Sequence, residues 1–236
     1  DCDLQKVANT DRASGKMPKD EYHQENAATG IQIHKNPTKD EIKSIISGAI
    51  TPRFGESIQA AASFLRRGKG AGVMAAKPKP QEEEIIRKYK PLIPLARFKK
   101  RIGEGTEHKV YWVDEATVVK TNTCYFYKSW EDYLTGLLLH NYFFPDTAYD
   151  LIGFTEEDGK LLSVVKQRFI KATEINDMGL VSDWLKNNGF ENTRNDDYYN
   201  PQLGVIVEDL HDQNIITENG ILYFIDTVFY IKQSAE

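Results

Sequence analysis

Asp209-Leu210-His211-Asp212-Gln213-Asn214 is followed by an apolar run, a turn at Glu218-Asn219-Gly220, and then Tyr223-Phe224-Ile225-Asp226. An aspartate, an asparagine five residues on and a second aspartate at the end of a short apolar strand form a set of hard oxygen ligands plus a carboxylate. Far upstream stand Ile102-Gly103-Glu104-Gly105-Thr106-Glu107-His108-Lys109-Val110 and Val118-Val119-Lys120. Polar groups so far apart in the chain can meet only over a closed core, so the four pieces constrain the fold more tightly than any one of them does alone.

Composition removes several classes. Hydrophobic content of 40% and charged content of 28% over 236 residues are ordinary for one or two globular domains. A net charge of −5 argues against a nucleic-acid partner, which needs a cationic footprint. Cys2 and Cys124 are the only cysteines, too few for a disulfide framework or a multi-cysteine metal site. A reducing, cytoplasmic setting is expected. No apolar run approaches the ~20 residues that span a bilayer, so no membrane role is expected.

Residues 1 to about 30 are polar and poor in large apolar groups, and disorder is expected there. Ile31-Gln32-Ile33 is a short apolar alternation. Thr38-Lys39-Asp40-Glu41 is a capping box, and Ile42, Ile45, Ile46 and Ala49 continue it at helical spacing. Glu56 to Arg66 is a second helix and Gln81 to Lys90 a third, with Lys77-Pro78-Lys79-Pro80 as an extended linker between them. The domain boundary is expected near residue 95. Beyond it, Phe98 to Val113 and Thr117 to Thr123 predict strands. Ser129 predicts the cap of a helix over Trp130 to Tyr142, Tyr149 to Phe154 and Leu161 to Ile170 predict two more strands, and Leu180 to Asn188 predicts a helix. Leu203 to Val207 and Ile221 to Ile225 read as short strands, and Asn192 to Asn200 as a solvated loop.

Gly103 and Gly105 lack a Cβ, so a strand–bend–strand carrying them can bring backbone N–H groups close to phosphate oxygens. A glycine pair of this kind is also common in plain hairpins.

From about residue 98 to 232 the chain resembles the Ser/Thr/Tyr kinases found in polyvalent proteins of phages and conjugative elements. The residues that carry the likeness are Leu138-Leu139-His140-Asn141-Tyr142-Phe143-Phe144-Pro145, Leu151-Ile152-Gly153-Phe154, Val165-Lys166-Gln167-Arg168-Phe169-Ile170, Asp209-Leu210-His211 with Asn214, and Phe224-Ile225-Asp226. The resemblance implies an α+β, compact, two-lobed protein-kinase-like fold. Its N-lobe, residues 96–166, would be an antiparallel sheet with one helix, and its C-lobe, residues 167–236, short and mostly helical. Residues 1–95 would form a partly disordered extension with short helices.

It also implies ATP and Mg²⁺, and a protein substrate. Gly103, Gly105 and Val110 would cover the nucleotide, and Lys120 would neutralise its phosphates. Glu131, or Asp132 if the register slips, would pair with Lys120. Gln167, Arg168 or Phe169 would meet the adenine. Asp209, preferred to Asp212 on register, would accept or orient the attacking hydroxyl, and Asn214 and Asp226 would hold the metal. His108 stands where protein kinases usually carry a third glycine, and Val207-Glu208 replaces their His-Arg pair. With Thr227 to Glu236 following Asp226, control by activation-loop phosphorylation is not expected. A small-molecule kinase of the aminoglycoside or choline type, and an inactive nucleotide-binding or interaction module, stay open beside the protein-kinase reading.

Overall fold

The computed structural model describes residues 24–26, 31–33, 37–69, 78–89 and 91–232. The capping box closes as its sequence requires. Glu41 N–H donates to Thr38 Oγ1 at 3.2 Å, and Thr38 N–H donates to Glu41 Oε2 at 2.9 Å, starting α1 (Lys39–Ser47). The second helix, α2 (Glu56–Lys69), runs one turn past its expected end. In place of an extended linker, Pro78-Lys79-Pro80 forms the first turn of α3 (Pro78–Tyr89). Proline is tolerated there because N–H groups of a first turn have no intrahelical acceptor.

Lys100–Glu104 (β3) and His108–Asp114 (β4) are the two halves of the expected Phe98–Val113 stretch, folded about Gly105. With Thr117–Asn122 (β5), Asp150–Glu157 (β6) and Lys160–Arg168 (β7) they make one antiparallel sheet of order β3-β4-β5-β7-β6. Between β5 and β6 runs α4 (Trp130–Phe143), capped by Ser129, whose hydroxyl accepts from Asp132 N–H. This helix is apolar on every side and buried nearly throughout, which is how an all-round apolar helix must sit.

Past Arg168 the expected mostly helical C-lobe is corrected. The described residues there hold one α-helix, α5 (Met178–Asn187), and six strands. These are β8 (Glu191–Arg194), β9 (Asp197–Asn200), β10 (Val205–Glu208), β11 (Ile215–Glu218), β12 (Ile221–Phe224) and β13 (Val228–Ile231). Each strand is only four residues long; β10, β11 and β12 are rich in Val, Ile, Tyr and Phe and abut left-handed Gly204, Asn219 or Gly220, so these runs are too short to complete a stable helix. The Asn192–Asn200 loop is accordingly a β8–β9 hairpin.

Strands β13-β10-β9-β8 form one sheet, and β11–β12 is extended by β2 (Ile31–Ile33) and β1 (Gln24–Asn26), with β2 parallel to β12. The disorder expected over residues 1 to about 30 lies mostly outside the described residues, and Gln24–Asn26 of that stretch is β1. One hydrophobic core links Ile42, Ile45, Ile58, Ala61, Ala62, Leu65 and Ile86 of α1–α3 to α4, and α4 to Val205, Phe224 and Phe229.

Candidate functional site

Two antiparallel ladders bracket residues 209–214. At the end of the first, Glu208 of β10 pairs with Val228 of β13, so Asp209 and Thr227 come next at its open end. In the second, Ile215 of β11 pairs with Phe224 of β12, and Ile225 N–H then donates to the Asn214 carbonyl at 2.9 Å. Asn214 and Asp226 therefore emerge side by side. The register is set at the far end by Asn219-Gly220, whose φ values of +52° and +76° give the double left-handed turn that matches strand twist.

The 209–214 loop is tied to itself. Asn214 Nδ2 donates to the Asp209 carbonyl at 2.9 Å and to Asp209 Oδ2 at 3.0 Å. His211 Nε2 lies 3.2 Å from Asp209 Oδ1. Asp209 itself has φ +68°, a conformation that a side-chain-bearing residue adopts at a cost, and one that clusters at working sites. Its side chain is 54% exposed, so an incoming hydroxyl can reach it. Asp212, the competing base, is occupied: Asn176 Nδ2 donates to its carboxylate at 2.8 Å and to its carbonyl at 2.9 Å.

Lys120 and Asp226 come together. Lys120, 4% exposed on β5, donates from Nζ to the Ile225 carbonyl at 2.8 Å and stands 3.7 Å from Asp226 Oδ2. Tyr149 donates its hydroxyl to the same carbonyl at 2.8 Å. Asn141 holds Tyr149 in place: Tyr149 N–H donates to Asn141 Oδ1 at 2.7 Å, and Asn141 Nδ2 donates back to the Tyr149 carbonyl at 2.7 Å. Burial pushes the Asp226 carboxyl up, but the Lys120 ammonium, with His108 behind it, outweighs burial, and the group is held below its ordinary value. Val110 pairs with Lys120 across β4–β5, so both look out from the same face of the sheet, above a small cavity lined by Lys120, Tyr149, Val165, Asp226 and Thr227.

The glycine loop closes onto this pair. His108 Nε2 lies 3.2 Å from Asp226 Oδ2, and a Cβ on Gly105 would fall 2.8 Å from the His108 ring. A Cβ on Gly105 would thus displace the imidazole from Asp226, whereas a Cβ at Gly103 would make only ordinary contact with Val110 at 3.5 Å.

One expectation is corrected. Glu131 is bonded to Lys69 and lies 3.5 Å from Arg66, both on α2, and is not the residue of α4 that faces Lys120. Tyr133 and Leu137, one turn apart, line the cavity, and a residue two positions from Tyr133 points to the other side of the helix. Asp132 is exposed. The hinge candidates Gln167, Arg168 and Phe169 each have partners within the protein. Phe169 N–H donates to the Ala116 carbonyl at 2.9 Å, and its ring packs on Trp112. Gln167 is buried, with Nε2 donating to the Thr147 carbonyl at 2.7 Å, and Arg168 pairs with Glu218 at 3.0 Å. Sequence reasoning missed Glu107, Tyr149 and Thr227 as lining residues. Glu107 lies within the glycine motif and its carboxylate accepts from Asn122 Nδ2 at 2.9 Å, so the loop itself was the available signal.

The donor set fits a hard divalent cation. Every side-chain hydrogen bond of Asn214 among the described residues uses Nδ2, which leaves Oδ1 as a hard oxygen on the residue paired with Ile225, next to Asp226 in the chain.

An antiparallel five-stranded sheet with a buried helix, a strand lysine against a late aspartate, and an Asp–Asn loop between two ladders are compatible with a kinase-like domain. The family model described as Serine/Threonine/Tyrosine Kinase found in polyvalent proteins matches residues 81–233, well over half the chain, and the chain belongs to that family. The match begins inside α3, upstream of the boundary expected near residue 95. No curated protein and no solved structure matches the chain significantly.

Proposed function

We propose that the chain is an ATP- and Mg²⁺-dependent protein kinase that moves a terminal phosphate to a protein hydroxyl. The observation that carries this reading is the junction at Ile225-Asp226, where Lys120, Tyr149 and Asn214 all meet one stretch of backbone. Lys120 presents its ammonium to phosphate oxygens. Asp226 and the Asn214 side-chain oxygen would hold the metal, which when bound would offset phosphate charge. Asp209 orients the acceptor hydroxyl and takes its proton, and His211 steadies the Asp209 carboxylate. Gly103, Gly105 and Val110 cover the nucleotide, with His108 swinging off Asp226 as phosphate enters.

A protein hydroxyl is the acceptor this reading expects. The net charge of −5 speaks against nucleic acid, and no helix of the described residues is long and apolar enough to cross a membrane. The test is transfer of radiolabelled phosphate from ATP to a protein extract, with and without Mg²⁺. Asp209→Asn is expected to abolish transfer and keep nucleotide binding. Transfer to metabolites alone redirects the reading to a small-molecule kinase, and full turnover by the variant removes Asp209 from its role.

A further inference from the structure

Asp226 is held from α4 by a buried polar relay. His140 is completely buried on α4, between two threonines. Its Nε2 lies 3.0 Å from the Thr147 carbonyl oxygen, which can only accept, and 3.3 Å from Thr147 Oγ1, whose proton is taken by the closer Phe224 carbonyl, so Nε2 carries a proton. Burial pushes the imidazole pKa down to about 3, so the ring is neutral and Nδ1 is a bare acceptor. Thr227 Oγ1 lies 2.7 Å from Nδ1, and its hydroxyl is therefore the donor. Thr147 in turn donates from Oγ1 to the Phe224 carbonyl at 2.5 Å. The residues on both sides of Ile225-Asp226 are thus fixed from one imidazole and its neighbour, while the Ile225 carbonyl is fixed by Lys120 and Tyr149. The Asp226 carboxylate is turned the other way, toward Lys120 at 3.7 Å and His108 at 3.2 Å on the cavity wall.

We propose that His140 is a positioning residue that, through its hydrogen bond to Thr227, fixes the direction in which the Asp226 carboxylate presents itself to a divalent cation. The inference rests on the phosphotransferase reading of the site. It couples α4 to the metal aspartate by a hydrogen bond with one allowed polarity, and only a hydroxyl at position 227 satisfies it.

The experiment is a magnesium titration of phosphate transfer by the full chain carrying Thr227→Val or Thr227→Ser, at saturating ATP. Valine keeps the shape and removes the donor. The magnesium half-saturation is expected to rise about tenfold or more, the scale of a lost partner behind a metal ligand. Serine is expected to restore the wild-type value. A purely structural role would lower kcat and thermal stability and leave the magnesium half-saturation in place. Should Thr227→Val titrate like wild type, the relay is overturned and the phosphotransferase reading stands. Should wild type neither bind nor turn over ATP, both fall. If the valine variant does not fold, ¹⁵N-histidine spectra of the wild-type chain decide: protonated Nε2 with bare Nδ1 at His140 supports the relay, and a protonated Nδ1 overturns it.

Discussion

An ammonium as deeply buried as that of Lys120 needs acceptors, because water is not there to supply them. The Ile225 carbonyl and the Asp226 carboxylate meet that need, and the same pair leaves the cation aimed at whatever enters the cavity. Lys120→Met keeps the buried volume and removes the charge. Phosphate transfer is expected to fall by about 10²-fold or more in kcat/KM, the scale of one lost electrostatic stabiliser, while thermal unfolding stays cooperative. Steady-state kinetics check this, and unchanged kinetics would detach Lys120 from the nucleotide.

His140 gives a pH signature of its own. Its folded pKa, about 3, lies below the unfolded value of ~6.5, so the unfolded chain binds the proton first. The stability from burying the neutral ring is complete above pH ~6.5 and is lost as pH falls from there toward 3, at a slope on the order of 1 kcal/mol per pH unit. Urea unfolding between pH 7 and pH 4.5 should show this slope in wild type and a shallower one in His140→Gln.

At this scale the meeting of Lys120 with Asp226 was legible, because the order of the strand lysine and the late aspartate along the chain implied it. Glu131 was not. In a helix apolar on every side, periodicity does not say which face meets the sheet, and the acid nearest in sequence belongs to another neighbour.

The start of α4 is held by a residue from a different helix. Glu82 of α3, with no exposed surface, accepts from Trp130 N–H at 2.6 Å and from Lys69 Nζ at 3.0 Å, so an α3 carboxylate caps α4 at the end where the helix dipole favours negative charge. Glu82→Ala strands the buried Trp130 N–H and leaves Lys69 with Glu131 as its acid, and is expected to cost about 1–3 kcal/mol by urea unfolding. A change below about 0.5 kcal/mol, typical of a surface site, would show that the cap is dispensable. In the β11–β12 hairpin, Gly220→Ala places a Cβ on a residue at φ +76° and is expected to cost about 1 kcal/mol. The hairpin itself was readable from Asn219-Gly220 between apolar runs. Of the other strands past Arg168, β10 was read from Leu203 to Val207, while β8, β9 and β13 were not, because such short runs do not declare a strand until their partners are known.

Over the whole molecule, α1–α3 are part of the wall that buries α4. Ile58, Ala61, Ala62 and Leu65 of α2 share one core with Trp130, Leu134 and Leu138, and core continuity runs across residue 95. A chain beginning at residue 91 would expose that face of α4, and it is expected to aggregate or lose cooperative unfolding. Sedimentation and circular dichroism test this, and a monomeric truncated chain with wild-type unfolding would show the helices to be accessory.

The capping box, the glycine pair and the strand segments of the first sheet were written in the chain, since each depends on neighbours within a turn, a hairpin or a helix. Packing settled the partner of Glu131, the engagement of Gln167 and Phe169, the closure of His108 onto Asp226 and the β-rich C-terminal part. These depend on contacts between residues far apart in sequence, where the free energy of burying a shared surface outweighs any preference a local segment has by itself.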